Sequence, residues 1–180
     1  VPKSMGIDTW AVDYVLLDKQ DRILGNTYGY RDGRTKGMDK EVYRVIPEDA
    51  LYARTGIQKQ IFNTIYQLMA VSKQEPENME KADWLLMLPD YFHFLLTGNK
   101  MSEYTNATST QLVSPETKQW DYELIERLGY NLAVFHPLHM PGTVVGRLSG
   151  EIERETGLDC QVVLPATHDT GSAVAAVPSN

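Results

Sequence analysis

Apolar positions in the first thirty residues fall in short, nearly unbroken runs, a pattern of strands rather than helices. Residues 4–8 (Ser-Met-Gly-Ile-Asp) and 11–17 (Ala-Val-Asp-Tyr-Val-Leu-Leu) are rich in β-branched, aromatic and aliphatic side chains, and both read as strands. Asp18-Lys19-Gln20-Asp21 is polar and turn-like, and strand character returns from Arg22 to Tyr30, which predicts a hairpin over 11–30.

From Asp39 the spacing becomes helical. Val42, Tyr43 and Ile46 share one side, and Pro47 opens a second short helix that Gly56 stops. Asn63 stands as a helix cap before Ile65, Leu68, Met69 and Ser72, a helix that runs to Pro76. Trp84 to Leu88 reads as a buried strand, and Pro89-Asp90 starts a helix closed by Gly98. Further helices are expected over about 121–128 and about 149–156, each ended by a glycine. Residues 161–165 form a short apolar strand leading into Thr167-His168-Asp169-Thr170-Gly171-Ser172, after which 173–177 begins a helix. Residues 137–150, with two prolines and three glycines, look like an excursion. The alternation predicts an α/β topology in one domain over 1–180. The short helical segment before Pro178-Ser179-Asn180 has little to pack against, as expected of a chain cut from a longer one.

Composition narrows the classes. With 180 residues, 42% of them hydrophobic and 23% charged, the chain can close one sizeable core. A formal net charge of −7 disfavours nucleic acid as a partner, which needs a basic face. The single cysteine, Cys160, rules out an internal disulfide and a thiolate zinc site, which suits a reducing cytoplasm. No run approaches the roughly 18 apolar residues that span a bilayer, so no membrane partner is expected.

Asp169 lies where a buried strand gives way to a helix, the position of ligand sites in open α/β sheets. A carboxylate there can take a proton from a substrate hydroxyl, or it can merely cap the helix. In Gly6-Ile7-Asp8-Thr9-Trp10-Ala11-Val12-Asp13, two acidic residues, a threonine and a tryptophan interrupt a hydrophobic β pair. They form either a strand-end turn with a core aromatic or a sugar platform beside hydrogen-bonding groups. Tyr30-Arg31-Asp32-Gly33-Arg34-Thr35 reads either as an ion-pair network organising a loop, the favoured reading, or as an anion site. Residues 104–111 are dense in hydroxyls and amides, as in a polar loop or a hydrogen-bonded turn. His136 and His139 lack acidic or cysteine partners, so no metal site is expected, and His93 in its apolar helix reads as a surface or core residue. No Walker-type glycine loop is present.

Taken together, Gly6-Ile7-Asp8-Thr9-Trp10, Val12-Asp13, Tyr30-Arg31-Asp32, Thr55-Gly56-Ile57-Gln58, Phe62-Asn63-Thr64, Tyr66-Gln67-Leu68, Glu103-Tyr104-Thr105-Asn106-Ala107 and His168-Asp169-Thr170 resemble the FGGY carbohydrate kinases, the rhamnulokinase group in particular. The likeness covers nearly the whole chain. It implies a ribonuclease H-like fold of the actin and hexokinase type, here lacking the N-terminal phosphate-loop hairpin and the C-terminal ATP domain. It implies Asp169 as the base that deprotonates the ketose for attack on Mg-ATP, with His168, Thr170 and the backbone at Ala11 contacting the sugar, and Asp8, Trp10 and Asn63 lining its pocket. ATP, Mg²⁺, L-rhamnulose and the ATP domain are thus the implied partners, and the segment alone is expected not to turn over. The group usually has glycine at position 11, so the methyl of Ala11 bears on which ketose fits. Kinases of fuculose, xylulose or ribulose, or a silent sugar-binding domain, remain the alternatives.

Overall fold

The computed structural model describes residues 2–178, and the α/β class holds. In chain order the elements are β1 (Ser4–Met5), β2 (Tyr14–Leu17), α1 (Met38–Tyr43), α2 (Glu48–Thr55), α3 (Thr64–Gln74), α4 (Pro76–Lys81), β3 (Trp84–Met87) and α5 (Leu88–Thr97). There follow β4 (Ser102–Glu103), α6 (Tyr104–Thr108), β5 (Val113–Ser114), β6 (Gln119–Trp120), α7 (Tyr122–Arg127), β7 (Leu138–His139), β8 (Val144–Arg147), α8 (Gly150–Thr156), β9 (Gln161–Val163) and α9 (Asp169–Ala175).

α3 is the central element. Its first eight residues are all buried, and Ile65, Tyr66, Leu68 and Met69 join Val42 of α1, Leu85 and Met87 of β3, and Leu124 and Ile125 of α7 in the main core. A second, smaller core sits under β8 and β9 around Val145, Leu148, Val162 and Leu164. Asp121 and Ser149 cap α7 and α8 with side-chain oxygens, and Gly98 ends α5 at φ 77°, where a side chain would be strained.

The expected hairpin over 11–30 is present only in short form: the chain turns at 18–21, the Leu24 N–H donates to the Leu16 carbonyl (2.9 Å) and the Asp18 N–H to the Arg22 carbonyl (3.0 Å). β2 pairs antiparallel with β3, and residues 22–30 contribute a single bridge, Leu17 to Ile23. Tyr14 to Leu17 are buried throughout, and the longer ladder of this strand runs against the equally apolar Trp84–Met87. The excursion expected over 137–150 holds two strands, β7 and β8. The polar stretch at 104–108 is a helix, and a further helix, α4, starts at Pro76, where the preceding one was expected only to end.

The sheet that carries the site has the order β1-β9-β8, with β1 and β9 parallel. Just past β1, Gly6 lets the chain pass close to β9. A Cβ there would lie 2.5 Å from the Val163 carbonyl oxygen and 2.8 Å from Pro165 Cδ. Gly6→Ala is therefore expected to destabilise the fold by about 2 kcal/mol, the usual effect of overpacking against backbone. Urea denaturation of the two proteins checks this, and equal midpoints would refute it.

Candidate active site

Two distant segments meet at the end of this sheet. The Thr9 N–H donates to the Thr167 carbonyl (3.0 Å) and the Asp169 N–H to the Thr9 carbonyl (2.9 Å), so Trp10 and Ala11 stand beside the start of α9. The Ile7 N–H donates to Nε2 of His93, a core residue of α5 (2.9 Å).

Glu103 anchors the second segment. It is fully buried at the junction of β4 and α6, and its carboxylate accepts from the N–H of Thr105 (2.7 Å) and of Asn106 (3.1 Å) and from the Thr105 hydroxyl (2.6 Å). It accepts as well from the N–H and the hydroxyl of Thr167 (3.1 and 2.7 Å). The Thr105 Oγ1, its proton directed to Glu103, accepts from the His168 N–H (3.3 Å), and the Asn106 amide donates to the Thr167 carbonyl (3.2 Å). The polar stretch at 104–111 is thus a capped helix whose first turn grips the loop before Asp169.

Asp169 is the first residue of α9, with His168 at the cap position, so it does not cap the helix in the ordinary sense. Its Oδ1 accepts from the Thr170 N–H (2.6 Å) and hydroxyl (3.2 Å), and His168 Nε2 lies 3.6 Å away. More than half of its side chain is open to solvent.

Trp10 is 48% exposed, so it is not a core aromatic. Its Nε1 donates to Asp13 Oδ2 (2.7 Å), which also accepts from the Tyr30 N–H (3.2 Å). Trp10, Asp13, Gly29, Tyr30, Arg31 and Asp32 line a concavity of about 350 Å³. It adjoins a second of about 560 Å³ that shares Tyr30 to Asp32 and continues to Ile61 and Phe62, with the Tyr30 and Phe62 rings edge to face at 5.2 Å.

Of the expected site residues, the backbone bridge brings together Trp10, Ala11, His168, Asp169 and Thr170, while Asp8 is exposed next to it. Asn63 is buried at the cap position of α3, but its side chain makes no capping bond and donates to the Gln58 carbonyl (3.0 Å) instead. The ion-pair network expected at 30–35 is absent among the described residues. Asp32 accepts from the Arg34 N–H to cap a short 3₁₀ turn, and the Arg34 guanidinium lies over the Tyr28 ring and donates to Gln67. Glu103 and Tyr30 were not singled out from sequence. An acidic residue placed directly before a polar helix start was the one local signal for Glu103. His136 stacks on Trp84 at 3.5 Å, and no group of three or more His, Cys, Asp or Glu side chains among the described residues could hold a metal.

The family described as "FGGY family of carbohydrate kinases, N-terminal domain" matches residues 1–176. A rhamnulokinase of Halalkalibacterium halodurans is 56% identical over 177 residues, covering 98% of this chain and 38% of that protein. One of Pectobacterium atrosepticum is 45% identical and is covered to 35%. The chain therefore spans little more than a third of the length of these curated relatives. Among solved structures, a xylulose kinase from Rhodospirillum rubrum superposes with a TM-score of 0.83 at 21% identity, covering 92% of this chain and 35% of that one. A glycerol kinase of Plasmodium falciparum with ADP gives 0.73 at 17%, covering 92% and 34%. These two likenesses concern the fold alone.

Behind the site two titratable groups of α5 oppose one another. Burial holds His93 at about 4, below the usual histidine value of 6.5. The unfolded chain binds that proton first, so this residue's contribution to stability falls as pH drops from 6.5 towards about 4. Burial pushes Asp90, whose Oδ2 accepts the Glu103 N–H (3.1 Å), well above the usual carboxylate value of 3.8. The folded state keeps a proton that the unfolded chain loses, so this contribution falls as pH rises above 3.8. Asp90→Asn preserves the acceptor without the charge. Relative to wild type it is expected to gain stability with rising pH, by up to about 1.4 kcal/mol per unit. Urea midpoints of both proteins at about pH 5 and about pH 7 test this, and a constant difference would refute it.

Proposed function

The chain belongs to the FGGY family of carbohydrate kinases, and from that premise we propose that it is the sugar-holding segment of a kinase that phosphorylates the 1-hydroxyl of L-rhamnulose with ATP. The products are L-rhamnulose 1-phosphate and ADP, and the setting is the cytoplasm. The observation that carries the reading is the backbone bridge between Thr9 and residues 167–169, which brings a carboxylate open to solvent near the segment whose exposed indole lines a concavity. The choice of ketose rests on the relatives at 45% and 56% identity that bear the name rhamnulokinase.

In this reading Asp169 accepts the proton of the sugar hydroxyl as its oxygen attacks the γ-phosphorus of ATP and the bond to the ADP leaving group breaks. His168, Thr170 and the backbone of Ala11 touch the ketose, while Trp10 and Asp13 form one wall of its cleft and Tyr30 and Phe62 the other. Asp8 stands at the rim, and Asn63 shapes the Phe62 side through its bond to Gln58. Catalysis is chiefly positioning, since a hydroxyl held in line needs little beyond alignment and proton removal. Among the described residues no group of three or more His, Cys, Asp or Glu side chains could hold Mg²⁺, and no step is assigned to the ion. The nucleotide is assigned to other parts of the full-length protein, and the present segment alone is proposed to bind the ketose without turning it over.

A coupled ADP assay on the full-length protein, with L-rhamnulose beside L-fuculose, D-xylulose and D-ribulose, tests the substrate. Highest kcat/KM on L-rhamnulose is expected, and a clear preference for another ketose overturns that choice. Asp169→Ala is expected to lower kcat roughly 100- to 10,000-fold, the usual contribution of a general base, and an undiminished variant removes Asp169 from the role.

A further inference from the structure

Val12 is a β-branched residue in the left-handed region, at φ 71°, and it lies between Trp10 and Asp13 at the edge of the cleft. Such a conformation is strained for a β-branched side chain and persists only where surrounding bonds dictate it. Here they do. The Val12 carbonyl accepts from the Thr64 hydroxyl (2.8 Å) and from Gln67 Nε2 (3.1 Å), and the Val12 N–H donates to Ser109 Oγ (3.2 Å). The donors to its carbonyl both stand on α3, the most deeply buried helix of the fold.

Gln67 does more than hold Val12. It is 1% exposed, and its Nε2 donates to the Phe62 carbonyl (2.9 Å) and approaches Asp13 Oδ1 (3.5 Å), while its Oε1 accepts from Arg34 Nη2 (2.7 Å). One side-chain amide thus reaches three separate stretches of chain: 12–13, whose Asp13 lines the first concavity with Trp10; Phe62, which lines the adjoining one; and Arg34, in the loop whose residues 30–32 line both. Its orientation is dictated, because two carbonyls require the nitrogen at one end and a guanidinium requires the oxygen at the other. Glu103, by contrast, bonds to the stretch before Asp169 and to none of these.

We propose that Gln67 is a positioning residue for sugar affinity: by locking the strained turn at Val12 to Phe62 and Arg34 it sets the width of the ketose cleft, while Glu103 separately places the base. The inference rests on the kinase reading above but fails separately from it. Gln67→Met fills the same volume without hydrogen bonds, and Gln67 touches neither the reacting hydroxyl nor Asp169. Steady-state kinetics of the full-length protein at saturating ATP are expected to show KM for the ketose raised about tenfold or more, with kcat held within about threefold, the mark of lost ground-state alignment rather than lost chemistry. Ser109→Ala removes one partner of the strained residue from a less buried position and is expected to raise KM about threefold, as the loss of a single hydrogen bond would.

Unchanged KM in both variants, or a fall in kcat at constant KM, overturns the proposal. Should Gln67→Met not fold, Ser109→Ala alone decides. Should the wild type phosphorylate no ketose, the kinase reading falls, and calorimetric titration of the same ketoses still decides this one. Weaker binding in the variants supports it, and equal binding, or no binding by the wild type, overturns it.

Discussion

A buried carboxylate receiving five hydrogen bonds is the constraint on which the candidate site depends. Glu103 satisfies the first N–H groups of α6 and, with its remaining capacity, the N–H and hydroxyl of Thr167. Hydrogen bonds to a charged acceptor contribute about 1.5–3 kcal/mol each, and leaving buried donors without one is costlier still. The stretch before Asp169 consequently has one place to go. β4, whose second residue is Glu103 itself, is fixed in turn by its parallel pairing with β7, and the Glu103 N–H is held by Asp90 of α5. A short helix of low intrinsic preference, Tyr104–Thr108, is thereby made into a rigid bracket for the chain opposite it.

From this bracket the site divides into two supports of different kinds. The loop carrying His168 and Asp169 hangs on carboxylate and hydroxyl acceptors, whereas the cleft walls hang on a neutral amide and two hydroxyls from α3 and the turn after α6. The Thr9 bridge is where the two supports meet. A site assembled in this way can vary one wall while the other stays fixed, which suits a family whose members share a fold and differ in the sugars they take. Ala11 lies at that seam, directly before the strained residue.

Local signals made much of the secondary structure legible. The spacing in α3, the proline in the first turn of α5 and the caps Asp121 and Ser149 all act within a few residues, and those helices stand where they were expected. Partner choice between distant strands left no such mark. Residues 22–30 looked like the full mate of β2 because they follow it, yet only 22–24 pair with its end, and the longer ladder forms with Trp84–Met87, far along the chain. α6 was illegible for a similar reason, since its sequence favours a turn and its cap becomes decisive only once Glu103 is buried. The motifs pointed to His168, Asp169 and the Trp10 segment, and the structure brings these together. Gln67 was visible only as a member of a matched motif, because a side chain that acts by joining three stretches has no signature in any one of them. Asn63 showed the reverse failing: its type and position suited a cap, but a nearer carbonyl took its amide.

The parallel pairing of β1 with β9 joins residues 4–5 to residues 161–162, nearly the full length of the chain apart. Closing so long a loop is slow, because its entropy must be lost before any contact compensates. During synthesis on the ribosome the core around α3 can gather as soon as residues 42–135 have emerged, whereas the bridge from Thr9 to His168 must wait for β9. Until β9 has emerged, the exposed indole of Trp10 lacks its neighbour across the bridge, while the strained turn at Val12 can already take its partners Thr64, Gln67 and Ser109. That interval is when chaperones would find it and when a slow codon after residue 135 would matter most.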